Sequence, residues 1–103
     1  MVTITAVIRV RGGDAEAMAV ALLDVAKHVE AAEPGTLAFH ICRSIEDPCV
    51  FTTFERFADR AAMDAHNGSP AVARFFAAAS PTLDGPVILH TCSELAAVVG
   101  PPG

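Results

Sequence analysis

Three short stretches, Ala6-Val7-Ile8, Val50-Phe51 and Val87-Ile88-Leu89, are apolar on both parities of the strands they belong to. Successive side chains of a strand point to opposite faces, so a sheet with one wet face alternates apolar and polar residues. These stretches therefore require a sheet covered on both faces. The chain has helix enough for only one face, which predicts a second copy packed sheet against sheet in a two-fold dimer. An imperfectly patterned monomer is the alternative.

The rest of the chain fills in that sheet. Ile4, Ala6, Ile8 and Val10 alternate with Thr3, Thr5, Val7 and Arg9 in a first strand that stops at Gly12-Gly13. Asp14 stands at the N-cap position of a helix over Ala15 to Ala32. There Met18, Leu22, Val25 and Val29 form the apolar stripe, and Pro34-Gly35 ends it. Strands over Thr36 to Arg43 and Cys49 to Phe57 make a hairpin around Ser44 to Pro48. Asp59 caps a second helix, broken at Asn67-Gly68 and restarted by Ser69-Pro70, with Val72, Phe75, Phe76 and Ala79 as its core face. After Pro81 and Gly85-Pro86, Val87 to Leu95 supplies a fourth strand. The β-α-β-β-α-β order predicts an α+β, ferredoxin-like fold: a four-stranded antiparallel sheet with helices on one face. A single domain is expected over residues 1–96, followed by a C-terminal tail, 97–103.

The formal net charge of −5, with seven Lys and Arg scattered along 103 residues, argues against a nucleic-acid partner, because phosphate binding needs clustered cations. Apolar residues reach 52%, but no run approaches the roughly 20 that a membrane helix needs, and no basic segment followed by an apolar stretch opens the chain. A soluble, cytoplasmic protein without a membrane partner is expected. Cys42, Cys49 and Cys92 are odd in number and lack CxxC spacing, so they read as reduced thiols. The four histidines show neither His-x-His nor HExxH spacing, and neither a metal nor a cofactor is predicted.

The stretch from Glu33 to Phe76 resembles the antibiotic biosynthesis monooxygenase domain family of small dimeric α+β barrel proteins. The resemblance rests on Glu33-x-Gly35, Phe39 on the second strand, Glu46-Asp47-Pro48 in the hairpin, Phe54-Glu55-x-Phe57, and Ala-x-x-Ala-His-x-x-Ser-Pro from Ala62 to Pro70. It implies a pocket more firmly than a reaction, since relatives include oxygenases of quinols and polycyclic phenols that use neither metal nor flavin, haem-degrading oxygenases, and proteins handling signalling metabolites. This chain contains no Trp and no Tyr, which several family members use to hold their substrates, and that disfavours the haem-degrading branch.

An electron-rich phenolate or enolate can donate an electron to oxygen directly, so such a site need only deprotonate, orient and desolvate its substrate. Glu55 and His66 match positions that the family fills with the same residues, and the resemblance implies a proton relay or polar anchor there. The alternative has Glu55 binding a backbone amide or an arginine such as Arg56, and His66 capping the helix break. His40, a third catalytic candidate, shares a strand parity with Ala38 and Cys42, against the more apolar row of Leu37, Phe39 and Ile41. If the pocket lies between sheet and helices, Phe39 lines it and His40 belongs to the dimer side. His28 and His90 read as structural. Phe39, Phe51, Phe54 and Phe75, with Met18 and Leu22 opposite, are the candidate walls of a substrate slot. The resulting expectation is a homodimeric, cofactor-independent monooxygenase oxidising a small aromatic, quinol or polyketide-type metabolite with molecular oxygen. A noncatalytic small-molecule-binding or accessory protein, or an isomerase or degradation enzyme for a signalling metabolite, are the rivals.

Overall fold

A computed structural model describes residues 1–101. The tail reading covers 97–103, so its last two positions lie outside the described residues. The elements run β1 (Val2–Arg9), α1 (Ala15–Ala32), β2 (Thr36–Arg43), β3 (Val50–Phe57), α2 (Arg60–Asn67), α3 (Pro70–Ala79) and β4 (Ile88–Ser93). All sheet pairs are antiparallel, in the order β2-β3-β1-β4, which is the ferredoxin-like arrangement expected from the element order.

Local chemistry accounts for most boundaries. Asp59 Oδ1 accepts from the Ala62 amide at 2.8 Å to start α2, and Ser69 Oγ accepts from the Val72 amide at 3.2 Å to start α3, where Pro70 takes the first turn. Asp14 departs from expectation: it holds the N-cap position of α1, but its side chain makes no capping bond. A short 3-10 turn, Gly12–Asp14, leads directly into the helix and replaces that cap.

Ile4, Ala6 and Ile8 of β1 and Phe51, Thr53, Glu55 and Phe57 of β3 face the helices and are buried. Two core clusters form there. Ile8, Val10, Met18, Leu22, Phe51 and Ala79 make the larger one, and Ile4, Phe57 and Met63 the smaller, beneath α2. Gly35 lets α2 approach the turn between α1 and β2, since a Cβ there would lie 2.7 Å from Ala62 Cβ. This close approach brings the turn after α1, which carries Glu33, against α2.

The opposite sheet face carries Val7, Phe54 and Ile88, all more than a third exposed, so the residues apolar on both parities do present a second apolar face. One strap crosses it. The Arg56 guanidinium grips Glu94 with Nε to Oε1 at 2.6 Å and Nη2 to Oε2 at 3.0 Å, and Thr3 Oγ1 donates to the same carboxylate at 2.9 Å. That hydrogen-bonded fork holds the Glu94 carboxyl below the usual carboxylate range.

Candidate active site

Glu33 follows the last turn of α1, Glu55 lies on the helix-facing side of β3, and His66 lies on the buried side of α2, three residues after Met63. Packing joins them. His66 Nδ1 is 2.8 Å from Glu33 Oε1, and Nε2 is 3.1 Å from Glu55 Oε1. Thr36 Oγ1 donates to Glu33 Oε1 at 2.7 Å, and Thr53 Oγ1 donates to Glu55 Oε2 at 2.8 Å. The imidazole is also held by two tilted rings, Phe57 at 5.3 Å and Phe39 at 5.5 Å between centroids.

Both ring nitrogens of His66 face carboxylate oxygens, and a neutral imidazole carries only one N–H. Imidazolium supplies both donors. Burial opposes that charge, but the hydrogen bonds to Glu55 and Glu33 outweigh it, and the His66 pKa is raised above its ordinary value of 6.5. A proton held more tightly in the folded chain stabilises that state most fully below pH 6.5, and the contribution disappears as pH rises through the raised value. Denaturation midpoints measured upward from pH 6.5 should therefore fall more steeply for the wild type than for His66→Asn. Parallel curves would remove the charged His66 from the stability of the fold.

Beside this cluster is a cavity of about 70 Å³, between the two core clusters. Thr53, Glu55, His66 and Asn67 are its polar lining, and Ile4, Ala6, Leu22, Val25, Phe39 and Val72 are among its apolar walls.

Of the residues singled out from sequence, Glu55, His66, Phe39, Leu22 and Phe75 border the cavity. His40 does not. Its strand partner is Phe54, the two rings meet at 5.9 Å, and both lie on the outer sheet face with Ala38, Arg56 and Cys92. Phe51 and Met18 are not walls either, because each is consumed by the larger core cluster, at 2% and 1% exposure. The expected row of Leu37, Phe39 and Ile41 breaks at a bulge: Thr36 opposes Phe57 and Ala38 opposes Arg56, leaving Leu37 as the extra residue, beside the outer groove. Phe75 packs against the larger core cluster and also borders the cavity, whereas Phe76 borders the cavity at 47% exposure rather than joining the core. The Glu55 side chain binds Thr53 and His66 while Arg56 pairs with Glu94; at the helix break it is the backbone carbonyl of His66, not its ring, that accepts the Gly68 and Ser69 amides.

Glu33 was legible only as part of a sequence pattern, and its contact with His66 spans 33 positions. A carboxylate followed by Gly35 at a helix end was the available signal. Among the described residues, no three His, Cys, Asp or Glu side chains gather around a common point as metal ligands do. No helix among them is long and apolar enough to cross a membrane.

The sequence profile of the antibiotic biosynthesis monooxygenase family matches residues 1–78. The chain belongs to this family. Solved structures give the same fold as the family assignment. A candidate antibiotic biosynthesis monooxygenase from Caulobacter crescentus is 26% identical, with a TM-score of 0.85 over 92% of this chain and 90% of its own. A protein from Pseudomonas aeruginosa, also 26% identical, has a TM-score of 0.83 over 92% and 94% of the two chains. One from Mycobacterium tuberculosis, 24% identical, reaches 0.87 over 95% and 98%, and shares the fold. No curated protein matches the chain significantly.

Proposed function

We propose that this member of the antibiotic biosynthesis monooxygenase family is a cofactor-independent oxygenase whose Glu55–His66 pair takes a proton from a small aromatic, quinol or polyketide-type metabolite. The carrying observation is the buried carboxylate, imidazole, carboxylate series opening on an apolar cavity. Glu55 accepts the proton, and the His66 imidazolium beside it steadies the oxygen anion left on the substrate. The desolvated anion then donates electrons to molecular oxygen; the substrate itself supplies all four electrons and the two hydrogens of the water, so that one oxygen atom enters the product and the other leaves as water.

The cavity limits what can enter. A volume of about 70 Å³ is less than the roughly 150 Å³ that takes up benzene. An aromatic substrate therefore inserts only its hydroxyl-bearing edge unless the partly exposed Phe75 and Phe76 swing outward. Oxygen uptake by metal-stripped protein against hydroquinones, naphthoquinols and anthrones tests this reading. Uptake no faster than the uncatalysed background sinks it. Proton exchange into a substrate without oxygen uptake would instead place isomerase chemistry at the same residues.

The same proposal includes a homodimer of cytoplasmic chains, with residues 1–96 as the domain. Its support is the apolar outer face, where Val7, Phe54, Leu37 and Ile88 stay 38–55% exposed. In this reading His40 is an interface residue. Sedimentation at micromolar concentration should give twice the 10.7 kDa chain mass, and a stable monomer would refute the dimer.

A further inference from the structure

His28 extends the buried cluster toward solvent. Its Nε2 lies 3.1 Å from Glu33 Oε2, and its side chain is 28% exposed against 9% for Glu33, 4% for His66 and 10% for Glu55. Glu33 Oε2 is itself buried and accepts no well-aligned hydrogen bond, so its contact with His28 is one of proximity. A buried carboxylate oxygen without a partner calls for one, and His28 Nε2 is the side-chain nitrogen beside it. The line from Glu55 through His66 and Glu33 to His28 thus alternates acids and imidazoles, each 2.8 to 3.1 Å from the next.

A substrate seated in the cavity would cover Glu55 and block that way out for the proton just removed. We propose that His28 is the port through which the buried cluster exchanges protons with solvent, an inference that rests on the proton-transfer reading of Glu55 and His66. When Glu55 has taken the substrate proton, the His66 imidazolium releases its Nδ1 proton to Glu33 Oε1 and keeps the one on Nε2. The Glu33 carboxyl then turns about its Cγ–Cδ bond and gives that proton to His28 Nε2, and His28 Nδ1 releases a proton to water. Each bond to hydrogen that forms is matched by one that breaks, and imidazole is suited to this because it can gain at one nitrogen while losing at the other.

The test reads the resting protein. Exchange of the His66 ring N–H protons with water, followed by nitrogen-15 NMR, should slow by about tenfold or more in His28→Ala and recover on adding free imidazole. His28→Gln, which can hold Glu33 but carries no proton, should be as slow as His28→Ala. Unchanged exchange in His28→Ala overturns the proposal. Wild-type exchange in His28→Gln does so too, because it would reduce His28 to positioning Glu33. The readout needs no substrate, so absence of oxygenase activity would leave the His28 result standing on its own.

Discussion

Glu55→Gln is expected to lower turnover by about tenfold to a thousandfold while the protein stays folded, the range that general acid-base groups supply. The amide nearly preserves the shape of the carboxyl and can still contact Thr53 and His66, but it cannot take a proton from substrate. Binding should change far less than turnover, because the apolar walls are untouched. Oxygen uptake under saturating substrate is the measurement. Wild-type rates in folded Glu55→Gln would remove this residue from the chemistry and favour a noncatalytic binding role for the cavity.

His66→Ala is expected to cost about 3–5 kcal/mol of folding stability, because breaking a buried ion pair leaves uncompensated charge in a low-dielectric site. Here two carboxylates, Glu33 and Glu55, lose the one cation between them, and the rings of Phe39 and Phe57 lose their common neighbour. Neutralising them in the triple variant His66→Ala, Glu33→Gln, Glu55→Gln should recover part of that loss. Urea unfolding decides the matter: a cost below about 1 kcal/mol, the scale of an exposed pair, would show that the cluster is open to water in solution. The pH dependence of stability reports on the same charge by an independent route.

The two experiments address different properties of one arrangement. A carboxylate series strong enough to hold imidazolium in an apolar pocket is expensive to keep, and a fold has little use for it as cement when apolar packing would serve as well. Its position at the cavity is the reason to read it as chemistry. In the proposed reading, the small volume beside it means that a larger aromatic enters only if Phe75 and Phe76 move aside.

How far the sequence reaches can be judged residue by residue. The α1 stripe, the break at Asn67-Gly68 and the caps at Asp59 and Ser69 were legible because each depends on neighbours a few positions away. Glu55 and His66 were legible as candidates from the family pattern, but their contact was not. Phe51 and Met18 misled because a large apolar side chain has the same periodicity whether it meets a ligand or another side chain.

What the sequence determined by itself, then, was the order and type of the elements and the two apolar faces of the sheet, since backbone propensity, capping and strand parity are local. Only the tertiary structure decided that the bulge moves Leu37 out of its row, that His40 and Phe54 turn to the outer face, and that Gly35 lets α2 settle against the turn after α1. From that settling come the Glu33–His66 contact and the path to His28. Such juxtapositions depend on how elements distant in the chain pack, and a pattern of three or four residues does not encode a distance across thirty.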